Sequence, residues 1–169
     1  MEKSLLVAGF GGQGVMLIGK TVGYAASKAD KYVTFSPAYG SEQRGGTANC
    51  TVVISDDEIG SPQVLNPRAA IAMNQPSLDK YEDVIAPGGY LVVNTTMVNR
   101  KVKRDDITVI ELPSTDLAEE LGDKRLTNIV MLGALTSKAD FLDMESIQKG
   151  IGKSLSEGKK SLLELNMKA

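Results

Sequence analysis

Ser4-Leu5-Leu6-Val7-Ala8-Gly9-Phe10-Gly11-Gly12-Gln13-Gly14 decides the fold of this chain. An apolar run that passes into clustered glycines and then into helix-patterned sequence predicts a strand, a tight turn and a helix. Glycine lets backbone N–H groups come close to an anion at a helix N-terminus, so the turn reads as a phosphate-type ligand site. A second stretch, Tyr39-Gly40-Ser41-Glu42-Gln43-Arg44-Gly45-Gly46-Thr47, packs a guanidinium, a carboxylate and an amide among glycines. A plain connecting loop does not require that polar density. The two stretches are expected to share one cleft.

Outward from the turn, strand and helix patterns alternate. Strands are predicted over 4–8, 32–36, 48–55, 69–73, 90–94 and 107–112, most of them short, rich in Val and Ile, and bounded by Gly, Pro or Asp. Between the first two, Met16, Gly19, Val22, Gly23, Ala26 and Ala29 recur at helical spacing with small residues on the packing face, which predicts a βαβ unit. Pro76-Ser77 opens a short helix to Val84, and Pro87-Gly88-Gly89 turns the chain into the next strand. From Thr115 the pattern is helical: first Leu117, Ala118 and Leu121, then Ile129, Leu132, Leu135 and Thr136, and last Leu155, Leu162, Leu163 and Leu165. The expectation is one α/β domain over 1–169, a three-layer α/β/α arrangement whose sheet is mostly parallel with room for mixed pairing.

Composition narrows the function. The 169 residues are 42% hydrophobic and 24% charged, which suits one globular domain with its own core. A net charge of −2 gives no basic footprint, so nucleic acid is not an expected partner. No segment is apolar for long enough to span a bilayer, and the strand-like start leaves no signal peptide, so a cytoplasmic location is expected. Cys50 is the only cysteine and there is no histidine. The chain therefore cannot supply the thiolates of an iron–sulfur cluster, lacks the commonest general base, and is not expected to carry a catalytic triad or a metal of its own.

Two nucleotide motifs overlap at the first turn. Gly9-x-Gly11-x-x-Gly14 fits a dinucleotide fingerprint, but that motif wants an acidic residue ending the second strand, where this chain has Ser36-Pro37-Ala38-Tyr39. Gly14 to Lys20-Thr21 fits P-loop spacing, with Asp56 after an apolar strand as a magnesium ligand. Its interior, Val15-Met16-Leu17-Ile18, would hang four apolar side chains around the phosphates and suits the first turn of a core-facing helix better.

Gly9-Phe10-Gly11-Gly12-Gln13-Gly14, the stretch from Tyr39 to Cys50, and Asn128-Ile129-Val130-Met131-Leu132-Gly133-Ala134-Leu135 together resemble the gamma subunit of 2-oxoacid:ferredoxin (acceptor) oxidoreductases, over essentially the whole chain. The resemblance implies the fold of the gamma domain of pyruvate:ferredoxin oxidoreductase. It implies one subunit of an enzyme that oxidatively decarboxylates a 2-oxoacid to acyl-CoA and CO2 and passes the electrons to ferredoxin. Alpha, beta and ferredoxin-like delta subunits would be the partners, and thiamine diphosphate, Mg and iron–sulfur clusters would sit on them. Coenzyme A would bind at or near the gamma subunit. The form Ser36-Pro37-Ala38-Tyr39-Gly40-Ser41-Glu42-Gln43-Arg44-Gly45-Gly46-Thr47-Ala48-Asn49-Cys50 most resembles the 2-oxoglutarate enzymes.

The candidate cofactor-binding residues are then Gly11, Gly12, Gln13, Gly14, Ser41, Glu42, Gln43, Arg44, Gly45, Gly46 and Asn128. The glycines serve either a ligand or a tight turn. Gln13, a long amide in a glycine cluster, suits a pantetheine amide or a phosphate oxygen. Arg44 either binds a CoA phosphate or pairs with Glu42. Asn128 reads locally as a helix cap, Cys50 as a small buried hydrophobe, and Arg100 to Asp106 as a solvated connection. A free-standing nucleotide-binding enzyme and an assembly scaffold without a ligand remain the alternatives.

Overall fold

The computed structural model describes residues 2–40, 46–154 and 163–169. In chain order it runs β1 (Lys3–Phe10), α1 (Val15–Lys28), β2 (Tyr32–Tyr39), β3 (Thr47–Ser55), β4 (Ala69–Ala72), α2 (Gln75–Tyr81), β5 (Tyr90–Asn94), β6 (Thr108–Leu112), α3 (Ser114–Glu120), α4 (Thr127–Lys138), α5 (Met144–Ser154) and α6 (Leu163–Lys168). Single 3₁₀ turns at Glu82–Val84 and Lys124–Leu126 follow α2 and precede α4. The six strands lie in the order β2-β3-β1-β4-β5-β6. Pairing is parallel from β1 through β6, whereas β3 runs antiparallel to both β1 and β2.

The mostly parallel sheet with mixed pairing is as expected, and one strand makes it mixed. The predicted βαβ unit is real in direction but split. β1 and β2 are parallel, yet β3 returns as a hairpin between them and takes the hydrogen bonds that two adjacent parallel strands would share. Alternation along the strands then sorts the core. Leu5, Val7, Cys50, Val52, Ile71 and Val92 face α1, α4 and α5, while Leu6, Ala70, Leu91 and Val93 face α2 and Val98 on the other side. Helices thus cover both faces, as parallel strands buried on both sides require.

The final helical set is borne out where it is described, since Leu163 and Leu165 lie on α6. The expectation needs correction ahead of it, because it holds no helix at α5 (Met144–Ser154), where Ile147 and Ile151 are buried and Gly150 lets the helix approach the backbone of Thr21 closely. Two glycines, one methionine and two isoleucines in an otherwise polar segment left little apolar pattern to read. Leu155 and Leu162 fall outside the described residues, and Leu165 packs beside the cluster of Ala118, Leu126 and Val130.

The second correction is the charged run. Arg100 to Asp106 is no solvated connection: Arg100 bridges Asp79 and Glu82, each at 2.7 Å, and Glu82 is 3% exposed. Arg104 reaches the carbonyl of Ile85 at 2.6 Å and pairs with Asp106, and the Glu82 carboxylate accepts from the Lys103 and Arg104 amides. Burial opposes ionisation of Glu82, but the Lys103 N–H and the Arg100 guanidinium outweigh it and hold the carboxyl below its ordinary range. Sequence distance hides this strap, since its acceptor lies about twenty residues upstream on the helix that it crosses.

Candidate functional site

The C-terminal ends of β1 and β4 lie side by side. From β1 the chain leaves through α1 toward the β2 edge, and from β4 it leaves through α2 toward β5. In an open α/β sheet such a divergence leaves a crevice at the strand ends, which is where ligands bind. The glycine turn sits in it. Gly12 and Gly14 have φ of 96° and 82°, conformations that other L residues adopt only with strain. Gly14 is also the residue before α1, and a Cβ there would collide with the Asn128 side-chain amide. These two positions require glycine for different reasons. Gly12 answers to backbone conformation alone, and Gly14 answers to both conformation and close packing.

Gln13 turns back over the loop. Its Oε1 accepts from the Phe10 N–H at 2.7 Å and from Asn74 Nδ2 at 2.9 Å. Asn74 is itself the N-cap of α2, its Oδ1 accepting from the Ser77 N–H at 3.0 Å. Asn128 is 3% exposed, with Oδ1 accepting from the Ile129 N–H at 2.8 Å and Nδ2 facing the Gly14 carbonyl at 3.4 Å. It lies in the first turn of α4 but is not the N-cap, which is Leu126. The capping reading of Asn128 is therefore corrected: its side chain ties α4 to the glycine turn.

Gly12, Gln13, Gly14 and Asn128 line one cleft of about 480 Å³ together with Thr115, Met73 and Met97. That volume lies within the range of about 300–1,000 Å³ usual for small-molecule sites. Lys124, Arg125 and Thr127 complete its wall on the α4 side. Arg125 is presented by a two-pronged pairing with Asp123, at 2.9 and 2.6 Å, which also holds the Asp123 carboxyl below its usual range. Lys124 pairs with Glu119 at 3.4 Å. Among the described residues no carboxylate lines the cleft itself. A hollow of about 530 Å³ between α4, α5 and α6 is slightly larger, but its walls are mainly aliphatic and none of the candidate residues reaches it.

Of the second stretch, the described ends are Gly40 and Gly46. The Gly11 N–H donates to the Gly46 carbonyl at 3.0 Å and the Gly40 N–H to the Thr47 carbonyl at 2.7 Å. The Gly46 end of the β2–β3 connection is thereby tied to the glycine turn and the Gly40 end closes onto Thr47, and neither glycine is in the cleft wall. Ser41, Glu42, Gln43, Arg44 and Gly45 lie outside the described residues. Sequence reasoning missed Asn74, Thr115, Lys124 and Arg125. Asn74 ahead of Pro76-Ser77 was legible as a cap, and the basic pair before Thr127-Asn128 was legible as charge at a helix start. Nothing in sequence links them to Gln13.

Both nucleotide motifs fail on geometry. Thr21 is fully buried and pairs with the Ser154 hydroxyl at 2.8 Å, two turns into α1, and Gly19 packs against Cys50 and Phe35. A P-loop threonine at that place cannot meet a magnesium ion beside Gly14. For the dinucleotide fingerprint, β3 stands between β1 and β2, so the end of β2 is about 10 Å from the turn that it should serve. Cys50 is buried, its thiol pushed up to about 12 by desolvation, and it takes no part.

Comparison with known proteins agrees with this arrangement. The family model for pyruvate ferredoxin/flavodoxin oxidoreductase matches residues 4–169. The chain is 39% identical over 161 residues to 2-oxoglutarate synthase subunit KorC of Methanocaldococcus jannaschii, covering 94% of this chain and 86% of that protein. It is 38% identical over 168 residues to ketoisovalerate oxidoreductase subunit VorA of Methanothermobacter thermautotrophicus, covering 99% of this chain but only 35% of VorA. The keto/oxoacid ferredoxin oxidoreductase gamma subunit of Geobacter sulfurreducens superposes with a TM-score of 0.83 at 30% identity, over 98% of this chain and 92% of that one. A 2-oxoglutarate:ferredoxin oxidoreductase from Magnetococcus marinus, solved with 2-oxoglutarate, coenzyme A and succinyl-CoA bound, shares the fold with a TM-score of 0.87 at 21% identity, over 99% of this chain and 29% of that one. The resemblance read from the glycine turn, the Tyr39 to Cys50 stretch and the start of α4 is borne out, and the chain belongs to the pyruvate ferredoxin/flavodoxin oxidoreductase family.

Proposed function

We propose that this chain is the gamma subunit of a 2-oxoacid:ferredoxin oxidoreductase, with 2-oxoglutarate as the 2-oxoacid, and that its switch-point cleft holds coenzyme A as co-substrate. The observation that carries the reading is the cleft itself. Gly12, Gln13, Gly14, Thr115 and Asn128 line it together with the cations Lys124 and Arg125, whose carboxylate partners Glu119 and Asp123 lie outside the cleft wall. That is the donor set an acceptor-rich, anionic ligand needs. Relatives named for 2-oxoglutarate synthase support the substrate. Ser41, Glu42, Gln43, Arg44, Gly45 and Gly46 complete the coenzyme A contacts in this reading, with Arg44 as a phosphate partner.

Coenzyme A supplies the thiol that accepts the acyl group. This chain's part is to bind and orient it: the cations meet phosphate oxygens, and the amides and the Thr115 hydroxyl meet carbonyl oxygens. Thiamine diphosphate, Mg and the iron–sulfur clusters reside on alpha, beta and ferredoxin-like delta partners, and ferredoxin takes the electrons. No side chain here replaces a thiamine ylid as an electron sink, so the isolated chain is inert. Reconstitution tests this. Adding the chain to a complex that lacks it should restore CoA-dependent ferredoxin reduction from 2-oxoglutarate. Turnover by the chain alone, or full CoA-dependent activity without it, would overturn the reading.

A further inference from the structure

We infer that Gln13 meets the ligand as an N–H donor, and that Asn74, outside the cleft wall, is the positioning residue that, together with the Phe10 N–H, holds it in that orientation. The inference rests on the coenzyme A reading above and adds how the ligand is read. Each amide orientation follows from a backbone group whose role has no alternative. The Ser77 N–H can only donate, so the Asn74 atom beside it is Oδ1, and the atom that Asn74 offers Gln13 is the Nδ2 donor. The Phe10 N–H can only donate as well, and it meets the same Gln13 atom. Two donors converge there, so it is Oε1, and what Gln13 has left for a ligand is Nε2–H.

The same logic holds around the cleft. Ile129 N–H fixes Asn128 Oδ1, and Asn128 Nδ2 donates to the Gly14 carbonyl. The Met73 carbonyl, at 3.4 Å, accepts only from an amide nitrogen. The Asn94 atom that faces it and Thr115 is therefore Nδ2, and Thr115 Oγ1, 2.9 Å away, accepts and keeps its own proton to donate. Asn94 accepts an unpartnered, buried Oδ1 to make this contact. The Gly14 carbonyl, the acceptor closest to the turn, already receives the Leu17 and Ile18 amides. The side chains of Gln13 and Thr115 thus offer N–H and O–H donors on the cleft side, which favour carbonyl and phosphoryl oxygens.

The test uses the assembled enzyme carrying variants of this chain, with coenzyme A as probe. Gln13→Glu is isosteric and keeps the Phe10 and Asn74 donors, but it turns the free N–H into a carboxylate oxygen. The KM for CoA should rise roughly ten- to hundredfold, because a half-buried donor becomes a charged acceptor. Asn74→Ser and Asn74→Asp both cap α2, so a merely structural Asn74 predicts two variants alike in CoA KM. The inference predicts an order instead: wild type lowest, Ser severalfold higher because the tether to Gln13 is lost, and Asp highest because an acceptor now faces Oε1. Melting temperature and complex assembly report whether each variant folds. Equal CoA KM for Gln13→Glu and wild type, or for the two folded Asn74 variants, overturns the inference. Hydrogen exchange of the wild-type complex with and without CoA separates the two claims. Protection over 9–14 and 124–128 supports the coenzyme A reading whatever the variants do, and its absence removes that reading and this inference together.

Discussion

The glycine-turn cleft and the strap over α2 are both polar clusters built beside short helices, and they treat their polar groups in opposite ways. In the strap, the buried carboxylate of Glu82 meets a guanidinium and two backbone amides, and the two arginines reach carboxylates or carbonyls of the fold itself. In the cleft, the acceptor atom of Gln13 is engaged by the protein and its Nε2 has no protein partner among the described residues, while Asn128 is held at both ends, by the Ile129 N–H and the Gly14 carbonyl. Charge density does not separate the two. Internal satisfaction does, since buried polar groups are costly unless partnered and a fold tolerates open donors mainly where a ligand completes them.

Gly14→Ala should do the most damage, because it breaks both sides of that contrast at once. The φ of 82° disfavours a Cβ, and the Cβ would meet the Asn128 amide, so a loss of about 3 kcal/mol or more is expected in chemical denaturation. CoA KM should rise as Asn128 is displaced. A variant with wild-type stability would mean that the turn can relax and that the close packing decides nothing.

Arg100→Ala sharpens the contrast from the other side. Removing the guanidinium leaves Glu82 buried with two amides and only Arg104 as a counter-charge, at a cost of about 2–3 kcal/mol. Because the strap reaches no cleft residue, CoA KM should hold at the wild-type value, and a rise would show that the two regions are coupled. The same pairing sets a pH dependence. The Glu82 carboxyl in the folded chain lies below its ordinary 4.5, so its stabilisation is complete above that value and fades as pH falls through the folded value. Wild type should lose stability below about pH 4.5 more steeply than Glu82→Gln. Parallel acid profiles for the two would remove Glu82 as the sensitive group.

Cys50→Ala is the mildest change. The thiol is fully buried against the Val15 carbonyl and α1, so the substitution should cost about 1 kcal/mol through lost packing. Alkylation of native protein should be negligible at neutral pH and become rapid on unfolding, as intact mass after iodoacetamide treatment would show. Fast labelling of the folded chain would place Cys50 in the accessible chemistry of the cleft.

The linear sequence determined the strands, the turn and the family. Short apolar runs rich in Val and Ile and bounded by Gly, Pro or Asp mark β1, β3, β4 and β5 nearly to their ends, and a glycine cluster between a strand and a small-residue helix has few other uses. Those signals are local, spanning only as many residues as the element they specify. Tertiary structure decided the rest. It placed β3 between β1 and β2, where hairpin pairing outcompetes the crossover neighbour, and it recruited Gly150 to let α5 rest on α1. It joined Glu82 to Arg100, and it brought Asn74 and Asn128 to a loop sixty and more than a hundred residues upstream. The amides show why. A glutamine is donor and acceptor alike until a backbone N–H from elsewhere in the fold takes one end of it.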